Sequence, residues 1–172
     1  MYSLMGGGLF CGVVANILLV VATATDHWMQ YRASGSPAHQ GLWRRCVSSK
    51  CHLQGDNNTA YWTATKAFMI LAAAACFTGA IAGLTSFSHF SSFGRFNRSF
   101  AAGILFFTST LLLLLALSLY TAAALHFHGG GVGEWRFSWS YILAWVAALM
   151  TFFAGVFSVC AYRTCECRRT RR

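Results

Sequence analysis

The chain has 172 residues, of which 56% are hydrophobic and 10% charged, and its mean hydropathy is +0.52. So few charges cannot cover a soluble globule of this size, and a formal net charge of +9 in such a chain indicates contact with anionic lipid rather than nucleic acid. The carboxylates Asp26, Asp56, Glu134 and Glu166 are too far apart in sequence to indicate an acid/base pair, so we expect neither an enzyme nor a cofactor.

The first predicted element is an uncharged run at 4–24. Its length of about 21 residues suffices to cross a hydrocarbon core of about 30 Å as a helix. No basic side chain precedes it, and it is too long for the core of a cleaved signal, so we expect it to remain as an anchor. Near its start, Gly6-Gly7-Gly8 favour close contact with another helix.

A polar segment at 25–65 follows and is predicted to form the large extracellular loop. It contains Trp28, Gly41-Leu42-Trp43, Cys46 and Cys51. In an oxidising compartment the two cysteines can close a small ring, whose effect on loop entropy is about 2 kcal/mol. A structural disulfide with two packing tryptophans is favoured over a catalytic or metal-binding role.

Basic side chains give this loop a net charge of about +2, from four cations and two carboxylates. The cations are Arg32, Arg44, Arg45 and Lys50, of which the last three are expected near the tip of the loop. A solvated surface is one interpretation, and adhesion to anionic lipid of a neighbouring cell is the other. Asn57 is a formal glycosylation acceptor close to the second span, and Trp43 weakly matches patterns of tryptophan C-mannosylation.

The rest of the chain alternates apolar spans with short connections. Gly79 to Gly83 form a small-residue face, Thr108-Ser109-Thr110 are expected to bond back to their own helix, and the alternation after Glu134 predicts a short strand. In order, the elements are a second span at 67–87, a cytoplasmic loop at 88–99, a third span at 100–125, a second extracellular loop at 126–139, a fourth span at 141–162 and a cytoplasmic tail at 163–172.

The tail carries several candidate modification and binding sites. Cys165 and Cys167 are candidates for palmitoylation or are free thiols, and Thr170 follows two arginines as in substrates of basophilic kinases. Two cysteines without a histidine do not predict a zinc site. The residues expected to bind calmodulin or anionic lipid are Arg163, Arg168, Arg169, Arg171 and Arg172.

Four spans place both termini on one side of the membrane. The five tail arginines lie close to the end of span four, where the positive-inside bias is strong. A disulfide and a glycosylated asparagine are compatible only with the opposite side. The sequence therefore predicts a multi-pass plasma-membrane protein whose termini are both cytoplasmic.

The first external loop carries, in order, a tryptophan, Gly-Leu-Trp and two cysteines. A four-span chain with this pattern resembles the claudin, peripheral myelin protein and epithelial membrane protein superfamily. Longer runs at 22–32, 39–44 and 135–143 resemble one branch of it. The resemblance implies a left-handed bundle of four transmembrane helices with an extracellular antiparallel sheet, four strands from the first loop and one from the second. It also implies a Cys46–Cys51 bond and places Trp28 and a Gly41-Leu42-Trp43 strand at the membrane edge of the sheet.

Three features depart from many relatives. The cysteines are closer together, Lys66 replaces an arginine at the start of span two, and the chain ends in Thr170-Arg171-Arg172 instead of a hydrophobic scaffold-binding tail. Lys66 can extend to the interface and bond a carbonyl but cannot form a bidentate fork.

The resemblance implies a structural, adhesive protein of cell junctions. Its expected partners are membrane lipids, including anionic lipids of the opposing cell, copies of itself or related four-span proteins, and calmodulin. The alternatives are a paracellular barrier or channel and an auxiliary subunit of a membrane channel.

Overall fold

A computed structural model describes residues 2–33, 35–53, 60–88, 92–128 and 134–170 of the chain. In this described part, four helices are long and apolar enough to cross a membrane. They are α1 (Tyr2–Ala24), α2 (Ala60–Ser88), α3 (Ser92–His128) and α4 (Trp139–Thr170). The predicted membrane-spanning helical architecture is confirmed.

A five-stranded antiparallel sheet is formed by the two segments predicted to be extracellular. Its strands are β1 (Met29–Ala33), β2 (Ser36–Gln40), β3 (Arg44–Val47), β4 (Lys50–Leu53) and β5 (Trp135–Phe137), arranged in the order β4-β3-β2-β1-β5. Four strands thus come from the first segment and one from the second, as the family resemblance implied. The short strand predicted after Glu134 is β5.

All four helices extend beyond the predicted spans, α1 by only two residues at its start. Helix α2 begins at Ala60, inside the predicted first loop, α3 begins at Ser92 and ends at His128, and α4 continues to Thr170 through most of the predicted tail. The only proline of the chain is Pro37, so none of these extensions contains a helix-breaking residue. The positions of the membrane surfaces along these helices stay predictions.

The helices form a ring in which each packs on two neighbours, with the most extensive contacts between α2 and α3 and between α1 and α4. In α1 the inward face carries Ala15, Leu19 and Ala22, which are fully buried. Its outward face carries Phe10 and Ile17, which are 67% and 58% exposed. Large apolar side chains on the outside are favourable only against lipid, so the exposure pattern fits a bundle inside a bilayer.

Glycines allow one aromatic ring to enter the middle of the bundle. A Cβ added at Gly12 of α1 would lie 2.4 Å from Cζ of Phe106, and one at Gly79 of α2 would lie 3.1 Å from the same ring. Phe106 of α3 is 1% exposed. The small-residue face predicted around Gly79 therefore packs against α3.

Some hydroxyl groups of α3 bond to carbonyls of their own helix, and another bonds to a neighbouring helix. Thr108 and Thr110 donate to the carbonyls of Ile104 and Phe106, as expected. Ser109 instead donates to the carbonyl of Ala72 on α2 at 2.8 Å, so the expectation of a bond within its own helix was wrong for this residue. A serine facing a neighbouring helix can satisfy its hydroxyl there because the small residues bring the two backbones close.

Candidate functional site

Two tryptophan indoles fix the sheet to the end of α1. The indole Nε1 of Trp28 donates to the carbonyl of Ala22 at 2.7 Å, and Nε1 of Trp43 donates to the carbonyl of Thr23 at 2.8 Å. The carbonyl of Val21 accepts from the amide of Thr25 at 3.1 Å. The last turn of a helix has carbonyls without partners in the helix, and these contacts satisfy three of them. The tryptophans therefore act as side-chain caps of α1.

Backbone hydrogen bonds continue this attachment around Trp28. Its amide donates to the carbonyl of Gln40 at 3.0 Å, and its carbonyl accepts from the amide of Ser138 at 2.9 Å. The hydroxyls of Thr25 and Ser140 lie 2.8 Å apart, linking the α1 terminus to α4. We call this side of the sheet, defined by Trp28, Gln40, Gly41 and Ser138, the bundle end.

An aromatic cluster lies beneath the bundle end. Its members are Trp28, Trp62 of α2, Tyr120 of α3, Phe137 of β5 and Tyr141 of α4. Tyr120 lies 4.8 Å from Trp28 and 5.2 Å from Trp62 between ring centroids, and Phe137 stacks on Tyr141 at 4.3 Å. Trp28 and Tyr120 are fully buried. Offset and edge contacts of this kind add about 0.5–1.5 kcal/mol per pair to area burial, so the cluster joins the sheet to three helices.

Gly41-Leu42-Trp43 form the connection between β2 and β3, so the expectation of a strand at these residues was wrong. The Gly41 amide donates to the carbonyl of Arg44 at 2.9 Å, which closes a tight turn. A Cβ at Gly41 would lie 2.4 Å from Cα of Asp26, so the turn needs glycine because of close backbone approach. Leu42 is fully buried, and the turn directs the Trp43 indole to α1.

The disulfide joins Cys46 and Cys51, which are directly opposed on β3 and β4. The two residues between Val47 and Lys50, Ser48 and Ser49, have positive φ values of 45° and 72°. Two-residue hairpins favour this backbone but prefer asparagine and glycine. We call this side, defined by Arg32, Pro37, Ser48 and Ser49, the distal end.

His39 lies beside the disulfide, where a ring nitrogen and the two sulfurs are within 4.8 Å of one another. Because the sulfurs are bonded to each other, neither offers the thiolate that a metal ion requires. The imidazole of His39 stacks on that of His27 at 4.4 Å, and His27 stacks on Trp139 at 5.8 Å. Burial and, to a smaller extent, the nearby His27 lower the pKa of His39, against an opposing effect of Asp26.

The structure separates the predicted cations of the first loop. Arg32, Arg44, Arg45 and Lys50 are all exposed. Arg44 directly follows the capping Trp43, so Arg44 and the adjacent Arg45 lie towards the bundle end. Their expected position near the loop tip was therefore wrong. Lys50, in contrast, directly follows the Ser48-Ser49 turn. The interpretation failed because a run of charges carries no information about which way its strand points.

Two of the basic side chains near the sheet contact aromatic rings. Arg45 donates through Nε to the hydroxyl of Tyr31, and its guanidinium carbon lies 5.3 Å from the centre of that ring. Nζ of Lys66 lies 5.5 Å from the centre of the Trp43 ring. Cation–π contacts at exposed sites contribute about 0.5–1 kcal/mol. The lysine therefore supports the same tryptophan that caps α1.

The predicted tail sites are described only in part. Arg163 and Cys167 are exposed on α4, whose backbone continues to Thr170. The side chains of Cys165, Arg168, Arg169 and Thr170 lie outside the described part of the chain, as do residues Asn57, Arg171 and Arg172 altogether. Palmitoylation, phosphorylation, glycosylation and calmodulin binding therefore stay predictions.

Sequence reasoning did not find the caps or the aromatic cluster. Trp43 was selected as a motif residue, yet its partner, the Thr23 carbonyl, is 20 residues away. Trp62 and Tyr120 were not selected at all. The one available signal is that the last carbonyls of any helix need partners and that an indole is a donor.

Four apolar helices carrying one disulfide-linked antiparallel sheet define a multi-pass membrane protein of the claudin-like architecture. The sequence model of the PMP-22/EMP/MP20/Claudin family matches residues 1–158, and the chain belongs to this family.

Individual relatives match nearly the whole chain. The lens fiber membrane intrinsic protein of Homo sapiens is 63% identical over 169 residues, which cover 98% of this chain and 97% of the relative. The Bos taurus protein of the same name is 61% identical over the same coverage. Claudin domain-containing protein 2 of Mus musculus is 31% identical over 157 residues, covering 89% of this chain and 83% of the relative. Together these findings indicate a structural membrane protein of the junctional plasma membrane.

Proposed function

We propose that the protein is a non-enzymatic adhesion protein that holds apposed plasma membranes together through its extracellular sheet, as in lens fibre cells. The observation that carries this proposal is the attachment of the sheet to the bundle by the Trp28 and Trp43 caps. A sheet fixed at one end transmits force to the bilayer, whereas a loosely attached one does not. The similarity to lens fiber membrane intrinsic proteins supports the tissue assignment.

The exposed cations of the sheet support contact with an anionic surface. Arg32 and Lys50 lie towards the distal end, beyond the aromatic cluster. Each well-placed cation near an anionic membrane contributes about 1 kcal/mol, and salt screens this attraction. The extracellular partners that we propose are therefore lipids of the apposed cell and other four-span proteins. On the cytoplasmic side, we propose calmodulin as a partner of the tail arginines.

Aggregation of suspended non-adherent cells tests adhesion directly. Cells that express the parent chain should form aggregates, and cells that express Trp28→Ala at equal surface density should not, because the sheet loses its Trp28 attachment to α1. The control is Trp145→Ala on the outward face of α4, where the side chain is 41% exposed. Equal aggregation by all three would contradict the proposal.

A paracellular barrier is the second candidate, favoured by family membership and by the charged groove described below. Transepithelial resistance distinguishes it from adhesion. A barrier raises the resistance of an epithelial monolayer or makes it ion-selective, and freeze-fracture then shows strands. Aggregation without strands and without a change in resistance supports the adhesive role.

A further inference from the structure

A groove lined by β1, β2 and β5 contains two arginines. It has a volume of about 660 Å³ and is open to solvent. Its polar lining includes Gln30, Arg32, His39, Glu134 and Arg136. Among the residues that the structure describes, neither Arg32 nor Arg136 has an ion pair or a hydrogen bond through its side chain. Arg45, in contrast, is engaged with Tyr31.

Strand register places the two arginines on one face. Gln30 of β1 is paired with Arg136 of β5, and Arg32 is two residues further along β1. Side chains two residues apart in a strand point to the same side, and diagonal neighbours across an antiparallel pair are about 7–8 Å apart. Side chains as long as arginine can reach one small ligand from that separation.

The charges of the groove favour an anion. Two guanidinium groups that have no partner among the described residues, together with one carboxylate, Glu134, leave the groove positive. A guanidinium presents a planar set of N–H donors that matches a phosphate in a bidentate way. Like charges held close together repel, and an anion bound between them removes that repulsion.

We propose that Arg32 and Arg136 bind one phosphate-type oxyanion between them, and that Gln30 contributes a further donor. Arg32 was predicted from the sequence to contact lipid, whereas Arg136 was not predicted to belong to any site. Arg44 shares the residue type and the exposure of both arginines but lies outside the groove.

The groove reaches towards the distal end of the sheet at Arg32 and Pro37. Arg32 is four residues beyond Trp28 along an extended strand, which corresponds to about 13 Å. The bound oxyanion can come from two sources, which are a lipid phosphodiester of the apposed bilayer and dissolved phosphate. The lipid source rests on the proposed adhesive function, whereas the oxyanion site does not.

Titration of the detergent-solubilised protein at constant ionic strength tests the site. The probes are inorganic phosphate and glycerophosphoserine, and isothermal calorimetry gives each Kd. We expect Arg32→Gln and Arg136→Gln each to raise the Kd at least fivefold, and Arg44→Gln to leave it within twofold of the parent value. Arg32→Lys should give an intermediate Kd, because it keeps the charge but loses the fork. Glu134→Gln should lower the Kd for inorganic phosphate at least twofold, because it removes a repelling charge.

The outcomes separate the sources and the two proposals. Tighter binding of glycerophosphoserine than of phosphate assigns a lipid head group, and equal binding assigns free phosphate; both support the site. Unchanged Kd values in Arg32→Gln and Arg136→Gln, or an equal loss in Arg44→Gln, would overturn it. Circular dichroism and retention of the disulfide on a non-reducing gel show that each variant is folded. Absence of oxyanion binding by the parent chain, in cells that still aggregate, rejects only this inference, and oxyanion binding without cell aggregation rejects only the adhesive function.

Discussion

The two ends of the sheet differ in how many of their side chains and backbone groups have partners within the protein. At the bundle end, the Trp28 side chain and the backbone atoms around it have defined partners on α1, α3 and α4. Towards the distal end, β4 is exposed throughout, two serines form the hairpin turn, and Arg32 lacks a partner in the described part of the chain. The bundle end therefore determines the stability of the fold, and the distal end is available for contact with another surface.

Removing the Trp28 side chain should have the largest effect on stability. Large-to-small substitution of a buried aromatic residue costs about 3–5 kcal/mol, and Trp28→Ala also leaves the carbonyl of Ala22 without its donor. Trp28→Phe keeps one aromatic ring and should cost about 1–3 kcal/mol, because it loses the donor to Ala22 and part of the buried indole. Denaturant unfolding in detergent micelles measures both, and an unchanged stability of Trp28→Phe would show that the cap contributes nothing.

A pair of glycines compares the two ends directly. Gly41→Ala at the bundle end brings a methyl group against the backbone of Asp26, whereas Gly35→Ala at the distal end meets no heavy atom within 4 Å. Gly35 has a φ of +82°, so its substitution should still cost about 1–2 kcal/mol through backbone strain. Gly41→Ala should cost more and reduce the amount of folded protein at the cell surface. Surface biotinylation and unfolding midpoints measure the difference, and a larger loss in Gly35→Ala would reverse the comparison.

The pH dependence of stability should be set in part at His39. Its pKa is lowered from the ordinary value of 6.5, so the unfolded chain takes up a proton first as the pH falls. The contribution of His39 is therefore fully present above about pH 6.5 and is lost as the pH falls through its folded pKa. The unfolding midpoint of the parent should decrease between pH 7 and pH 5.5, and His39→Gln should flatten this decrease. His52→Gln on the exposed strand β4 should keep the parent dependence, and an identical slope in His39→Gln would exclude this histidine.

The smallest expected effect is a gain at the distal turn. Ser48 and Ser49 have φ values that L side chains adopt at a cost, so replacing them with Asn-Gly should stabilise the hairpin by about 0.5–1 kcal/mol. The measurement is the rate at which a phosphine reductant opens the Cys46–Cys51 bond, which should decrease in the variant. The cell aggregation assay should give the parent result, since no cation is changed. Faster opening of the disulfide would show that the serines have a favourable role not visible in their backbone geometry.

The parts of the fold that were predictable are those with a local signal. Uncharged runs such as 4–24 predict spans, and the alternation around Arg136 predicted β5. The strand count and the Cys46–Cys51 pairing came from resemblance to the family, since spacing alone left other roles open. The contacts of Trp43 with Thr23 and of Ser109 with Ala72 depend on which elements are neighbours in the fold, and this arrangement cannot be predicted from composition. Arg136 was missed for the same reason, because its proximity to Arg32 arises from strand pairing.

Hydrogen exchange of individual backbone amides tests most directly whether the bundle end is the fixed end of the sheet. We predict slow exchange at Trp28, Ser138 and Ser140, whose amides bond Gln40, Trp28 and His27, and faster exchange at Ser48 near the distal turn. In the double variant Trp28→Phe, Trp43→Phe, exchange at the bundle end should accelerate towards that of Ser48. Equal exchange rates at both ends of the parent sheet, or rates unaffected by loss of the two indoles, would contradict the account.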